Sequence, residues 1–282
     1  MLYIHLGLHK TGTTSIQSVC KSQCALLAEK GILYPLDESL TYGTAMHLGL
    51  SQIDVANLPT LIRPDWFTGG RHVLLSNEEL GQHFSKSPRN ELISSLDYIN
   101  NNISPIVFVV SIRNDRKLLA SACREYIQGT TFPANGVGAF LNNYYTGITK
   151  IAEIVKPYKK CVVSLDDAGG SNWVNHFLSR IFHLEFDFQD TTSNSSVNKN
   201  LAIYLSGFFR SYYTASLGLP SYSQKINRLV SQAVAAIQLD SDFSDLFEPE
   251  FFEYIDNAVE CFVKREDYNR LCDLFEKGAD NA

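Results

Sequence analysis

The stretch LYIHLGLHKTGTTSIQ, residues 2–17, runs from an apolar strand into a glycine- and threonine-rich loop that opens a helix. A strand passing at once into such a loop and helix begins an α/β unit, and the loop itself predicts a phosphate cradle. Its backbone from Gly7 to Thr14 can turn successive N–H groups inward. The helix beyond points the positive end of its dipole at the same place, and Lys10 adds a full charge.

Working outward, apolar runs alternate with helical patterns. Strands are expected at residues 2–6, 73–76, 106–112 and 161–165, with helices from Thr14, Asp115 and Ser171. That alternation predicts a central parallel sheet flanked by helices, a three-layer α/β fold of the P-loop NTPase kind. Such sheets bind ligands beyond the carboxyl ends of their strands, where Gly7, Asn77, Arg113 and Asp166 all fall. After Asp190 the text changes to TTSNSSVNKN, a polar low-complexity loop, and then to a mostly helical pattern broken at Leu219-Pro220-Ser221 and Glu248-Pro249-Glu250. The reading is one domain over residues 1–282, with a nucleotide-binding core at 1–190 and a mainly helical cap or subdomain at 191–282.

A chain of 282 residues that is 45% hydrophobic can fill the core of one such domain. It has no run of 18 apolar residues, and its N-terminus enters a strand without a charged segment or a long apolar one. The expectation is a cytoplasmic protein without a transmembrane or secretory segment. Six scattered cysteines without a CxxC pair suit a reduced compartment. Cys20 and Cys24 are expected one turn apart on the first helix, as packing residues or, with a distant histidine, as zinc ligands. A net charge of −6 argues against a general nucleic-acid binder.

The spacing Gly7-x-x-x-x-Gly12-x-Thr14 matches the P-loop except that Thr13 stands where a lysine normally follows the second glycine, and the lysine is at Lys10 instead. The sequence HKTGTT after a strand is similar to the 5′-phosphosulfate loop of sulfotransferases that use PAPS (3′-phosphoadenosine 5′-phosphosulfate). A second segment, IVFVVSIRNDRKLLASACREY, carries an apolar strand, Arg113 at its end, and Ser121 eight positions later on a helix. In that family an arginine and a serine at this interval grip the 3′-phosphate. The chain thus resembles bacterial, carbohydrate-type sulfotransferases from Met1 to about Phe182, with sharp motifs in these two places.

The resemblance implies a PAPS-dependent enzyme that sulfates an acceptor hydroxyl, on a glycan or glycolipid, and releases PAP without a metal. It places Lys10, Thr11, Gly12, Thr13, Thr14 and Ser15 on the 5′ side of the nucleotide and Arg113 and Ser121 on the 3′-phosphate. Between them, VLLSNEEL ends a strand at Ser76, Asn77, Glu78 and Glu79. The acceptor proton must leave as the S–O bond forms, and Glu78 is the candidate base, with Glu79, His9 and His47 in reserve. The same glutamates could simply open a helix capped by Asn77 or Ser76. Asn194, Ser196, Asn198 and Lys199 lie in a loop suited to closing over the nucleotide, and Trp66, Phe132, Tyr144 and Tyr145 are candidates for an acceptor face. Two other readings stay open: a small-molecule or nucleotide kinase, in which Asp166 or Asp167 would hold Mg²⁺, and a non-catalytic nucleotide-binding module.

Overall fold

A computed structural model describes residues 1–8, 10–41, 46–129, 136–168, 172–188 and 249–276. Two compact units divide the chain. One comprises Met1–Asn114, Tyr145–Thr191 and Asn269–Ala282, the other Asp115–Tyr144 and Thr192–Tyr268.

The first unit contains a parallel sheet of five strands: β1 (Leu2–His5), β2 (Ile32–Leu33), β3 (His72–Ser76), β4 (Ile106–Ile112) and β5 (Lys159–Ser164), in the order β2-β3-β1-β4-β5. The helices, in chain order, are α1 (Thr13–Ser22), α2 (Cys24–Glu29), α3 (Glu38–Thr41), α4 (Gly49–Gln52), α5 (Leu58–Leu61), α6 (Leu80–Lys86), α7 (Arg89–Asn102), α8 (Asp115–Gly129), α9 (Gly136–Val155), α10 (Trp173–Phe182), α11 (Pro249–Val263) and α12 (Leu271–Glu276). This is the expected α/β architecture of a parallel sheet flanked by helices. It has one strand more than the sequence pattern revealed, because only two residues of β2 join the ladder, too few for a periodic signal.

All seven residues of β4 are buried, as is usual for a parallel strand covered on both faces. On one face Tyr3, Leu74, Val107, Val109 and Val163 pack with Ile16, Val19 and Cys20 of α1 and with Val174, Phe177, Leu178 and Ile181 of α10. On the other, Phe108 meets Tyr158 edge-on at 5.4 Å, and the Tyr158 hydroxyl donates to Asp97 of α7 at 2.8 Å. Helix α10 shows why the sequence folds this way. Its buried residues 173, 174, 177, 178, 181 and 182 form one stripe, Asn172 caps its start by accepting from the N–H groups of Val174 and Asn175, and His183 ends it in the left-handed region.

Cys20 and Cys24 do not share a helix as expected. Helix α1 stops at Ser22, Gln23 leaves helical geometry with its N–H still on the Val19 carbonyl, and Cys24 starts α2. Cys20 is fully buried, and burial pushes its thiol far above the ordinary range, as for a packing residue. None of the six cysteines is in a disulfide. Among the described residues no helix is long and apolar enough to cross a membrane.

Candidate functional site

The chain leaves β1 toward the β2 edge and leaves β4 toward β5, so the topological switch lies where these two neighbouring strands end. The β1 side of that crevice is the loop from Gly7 to Gly12. Three of its described residues take positive φ: Gly7 (+50°), Lys10 (+70°) and Gly12 (+78°), with Thr11 between the last two on the ordinary side. Such interleaving makes backbone nests for anions. Glycine is required at Gly12 for a second reason, since an added Cβ would lie 2.7 Å from Cδ1 of the Trp173 indole. At Gly7 it would lie 2.8 Å from Thr13 Oγ1. Lys10, with no such excuse, holds a conformation that disfavours L side chains, the kind of local strain that gathers at ligand sites.

Thr11, fully buried, closes the loop by donating its hydroxyl to the Leu8 carbonyl at 2.6 Å. Helix α1 then starts without a side-chain cap and without an acidic residue in its first turn. The N–H groups of Ser15 and Ile16 both return to the Gly12 carbonyl, at 3.1 and 3.3 Å, so the preceding N–H groups of Thr13 and Thr14 are the ones the helix start presents. Thr14 is exposed and Ser15 half-buried, whereas Thr13 is buried and its Oγ1 has no hydrogen-bond partner. The Trp173 indole N–H, against Gly12, is likewise buried without a partner.

Beneath the loop lies a polar cluster that the sequence reading missed. Strand register sets His5 opposite Ser76, and period-two alternation puts His5, Ser76 and Ser111 on the same face of the sheet. His5 Nδ1 pairs with Ser76 Oγ at 2.9 Å and its Nε2 with Ser111 Oγ, while Gln17 of α1 donates to Ser76 Oγ at 3.3 Å. Burial drives the imidazole pKa down to about 3. A neutral ring donates from one nitrogen and accepts at the other, so it ties the ends of β3 and β4 together under Gly7.

Beside β1, the end of β3 is held by a second buried histidine. The Ser76 N–H donates to His47 Nδ1 at 2.9 Å, and His47 Nε2–H donates to the Pro35 carbonyl at 2.8 Å. Burial lowers this pKa to about 4, partly offset by those backbone bonds. Both nitrogens are thus occupied by main chain, which leaves His47 no lone pair for an acceptor proton and removes it from the reserve bases. Asn77 donates to the His47 carbonyl (2.9 Å) and to Ser51 Oγ (3.0 Å), accepts the Glu79 N–H (2.8 Å), and gives its own N–H to the His5 carbonyl (3.1 Å). Glu78, half-buried, and Glu79, exposed, follow in the turn before α6; Asn77 Oδ1 holds that turn through the Glu79 N–H, and the helix itself starts at N-cap Glu79 without a side-chain cap bond.

Across β1, β4 ends at Ile112, and Arg113 follows, half-buried, with its Nε buried and lacking a hydrogen-bond partner. Ser121 is half-buried on α8 in the second unit. Asp166 uses one carboxylate oxygen to accept the Asn114 N–H. The loop, Glu78 and Arg113 therefore leave three adjacent strands at one edge of the sheet. His9, Phe132 and the loop with Asn194, Ser196, Asn198 and Lys199 lie outside the described residues, as does the 191–282 segment apart from 249–276. Trp66 is buried, and the half-buried Tyr145 has a hydroxyl that accepts the Asn269 N–H at 2.9 Å and donates to the Asn269 carbonyl at 3.2 Å. No family model matches the chain, and neither a curated protein nor a solved structure does so.

Proposed function

We propose that the protein is a sulfotransferase that carries a sulfuryl group from PAPS to an acceptor hydroxyl and releases PAP. One observation carries the reading: a loop with Gly7, Lys10 and Gly12 at positive φ runs into an uncapped helix start, and Thr13 Oγ1 there is buried without a partner. Buried polar groups of folded proteins are nearly always paired, and an orphan at the mouth of an anion nest fits a ligand oxygen. Arg113 Nε, orphaned at the end of the next strand, fits the 3′-phosphate that the sequence resemblance assigns to it.

PAPS supplies the activated sulfuryl group. Lys10, the loop N–H groups, Thr13, Thr14 and Ser15 hold the 5′ side and stabilise the negative charge that develops on the leaving phosphate oxygen. Glu78 takes the proton of the acceptor hydroxyl as the new S–O bond forms and the old one breaks. The acceptor class is a glycan or glycolipid. Of Asp166 and Asp167, either of which a kinase would use for Mg²⁺, Asp166 gives one carboxylate oxygen to the Asn114 N–H, which supports a structural role for it. Thermal melts in equal concentrations of PAP and ADP test the reading. PAP, with the 3′-phosphate, should raise Tm more, and Arg113→Ala should erase the difference. Equal shifts, or stabilisation by ATP with Mg²⁺ alone, would favour the kinase.

A further inference from the structure

We infer that Trp173 is a ligand-contacting residue of the loop site, its indole N–H donating to an anionic oxygen held by the loop. The inference rests on the proposed phosphate site and adds a donor from an element, α10, that no motif marks.

Trp173 is 9% exposed, and its Nε1 is buried without an acceptor. The indole is a donor only, so a buried Nε1–H must be paired or cost stability. Its surroundings leave the ring little choice of position. Asn172 caps α10 one residue before it, and both Asn172 and Asn175 donate to the Phe188 carbonyl, at 2.6 and 3.0 Å. The ring packs on Phe177 at 5.6 Å and stacks with His176 at 6.1 Å. With its body fixed by these contacts, the edge it presents to Gly12 is the polar one, Nε1 and Cδ1.

The placement makes sense of Gly12 as well. Positive φ alone would tolerate an asparagine there at modest cost, but the approach of the indole admits no side chain at all. An apolar neighbour would cover a glycine as well as tryptophan does and would leave no donor unpaired. What tryptophan adds is an N–H at the rim of a loop where Thr13, 2% exposed, also keeps an orphan hydroxyl. Two buried donors without acceptors, one starting α1 and one reaching Gly12 from α10, are accounted for together by an oxygen-rich anion.

The chain has two tryptophans, so Trp66→Phe isolates the signal of Trp173. PAP would be titrated calorimetrically into the full-length protein and into Trp173→Phe, which keeps an aromatic ring and removes the N–H. The ¹⁵N–¹H resonance of the Trp173 indole would be followed in Trp66→Phe. PAP affinity should fall about 10-fold in Trp173→Phe, the worth of one hydrogen bond to a charged group, and the indole proton should move downfield on saturation. Unchanged PAP affinity in Trp173→Phe overturns the inference while leaving the loop site standing. If Trp173→Phe does not fold, an indole resonance that stays in place while PAP binds overturns it equally. Failure of the unmutated protein to bind PAP overturns the proposed function, and this inference with it.

Discussion

Two segments leave adjacent strands at the carboxyl edge of the sheet and treat their polar groups in opposite ways. After β3, the buried polar side chains are paired within the protein: Asn77 makes five hydrogen bonds, main chain included, and His47 uses both ring nitrogens on main chain. After β1, the loop leaves the Thr13 hydroxyl and the neighbouring Trp173 N–H buried and unpaired. A saturated network fixes structure, since removing any member strands its partners. An unsaturated one at a nest fits a place where a ligand completes the bonding. The difference supports the β1 loop as the proposed ligand site and marks Asn77 and His47 as scaffold.

The comparison breaks most visibly at Lys10. If the β1 loop is the site, Lys10→Ala should lower sulfuryl transfer about 10²- to 10³-fold, the scale of one preorganised charge-stabilising donor. Unfolding by urea should barely change, because alanine keeps the Cβ and with it the same positive-φ strain, and loss of a loop side chain costs little. Near-native turnover of PAPS with an acceptor pool would remove the loop from the mechanism.

Glu78 stands on the border between the two segments, one residue beyond saturated Asn77. Glu78→Gln keeps size and most hydrogen bonding but abolishes basicity, so PAP binding should survive while transfer falls by about 10² or more. A glutamate that only opens α6 would instead cost no more than about 1 kcal/mol of stability and leave the rate alone. Parallel measurements on Glu79→Gln tell base from neighbour, and His9 is next if neither variant slows transfer.

The comparison sharpens in stability. Asn77→Ala removes three side-chain hydrogen bonds, and although the His47 carbonyl and Ser51 Oγ each keep another partner, the Glu79 N–H does not keep its acceptor; at about 1 kcal/mol per bond the loss should be about 2–3 kcal/mol in urea unfolding. Thr13→Val removes a hydroxyl that bonds to nothing and puts a methyl of the same shape in its place, so its effect should lie within about 1 kcal/mol of zero. PAP affinity should nonetheless drop in Thr13→Val. Comparable destabilisation by the two substitutions would erase the distinction between scaffold and site.

Much of this was legible in the sequence. The strand-to-loop transition at Gly7 and the apolar run of β4 follow from local patterns that need no partner. The break at Gln23 was not, because no glycine or proline marks it. His5 was passed over because a histidine in an apolar strand says nothing alone; its meaning depends on register with strands 71 and 106 residues away. A signal was nevertheless present: LYIH, VLLS and VVSI each place a polar residue near a strand's carboxyl end, on one face. Trp173 was hidden more deeply, since its approach to Gly12 is set by the packing of α10 against α1, a tertiary contact without a sequence period.

The smallest effect is in pH. His5 and His47 titrate near 6.5 when unfolded, and burial lowers them to about 3 and about 4 in the folded protein. Between the two limits the unfolded chain binds more protons, so stability is fully present above about pH 6.5 and is lost as pH falls toward the folded values. From pH 7 to 6 each histidine should contribute a loss of less than about 1 kcal/mol, in a window where carboxylates hardly titrate. Urea midpoints at pH 7.5, 6.5 and 5.5 measure the slope. His47→Gln should lower overall stability yet flatten that slope, since one titrating group is gone, whereas Lys10→Ala should leave the slope as it is. An unchanged slope in His47→Gln would mean that His47 titrates in the folded protein as it does when unfolded, and a steeper one that it stays protonated in the fold; either would give the network at the end of β3 a different proton inventory from the one its distances describe.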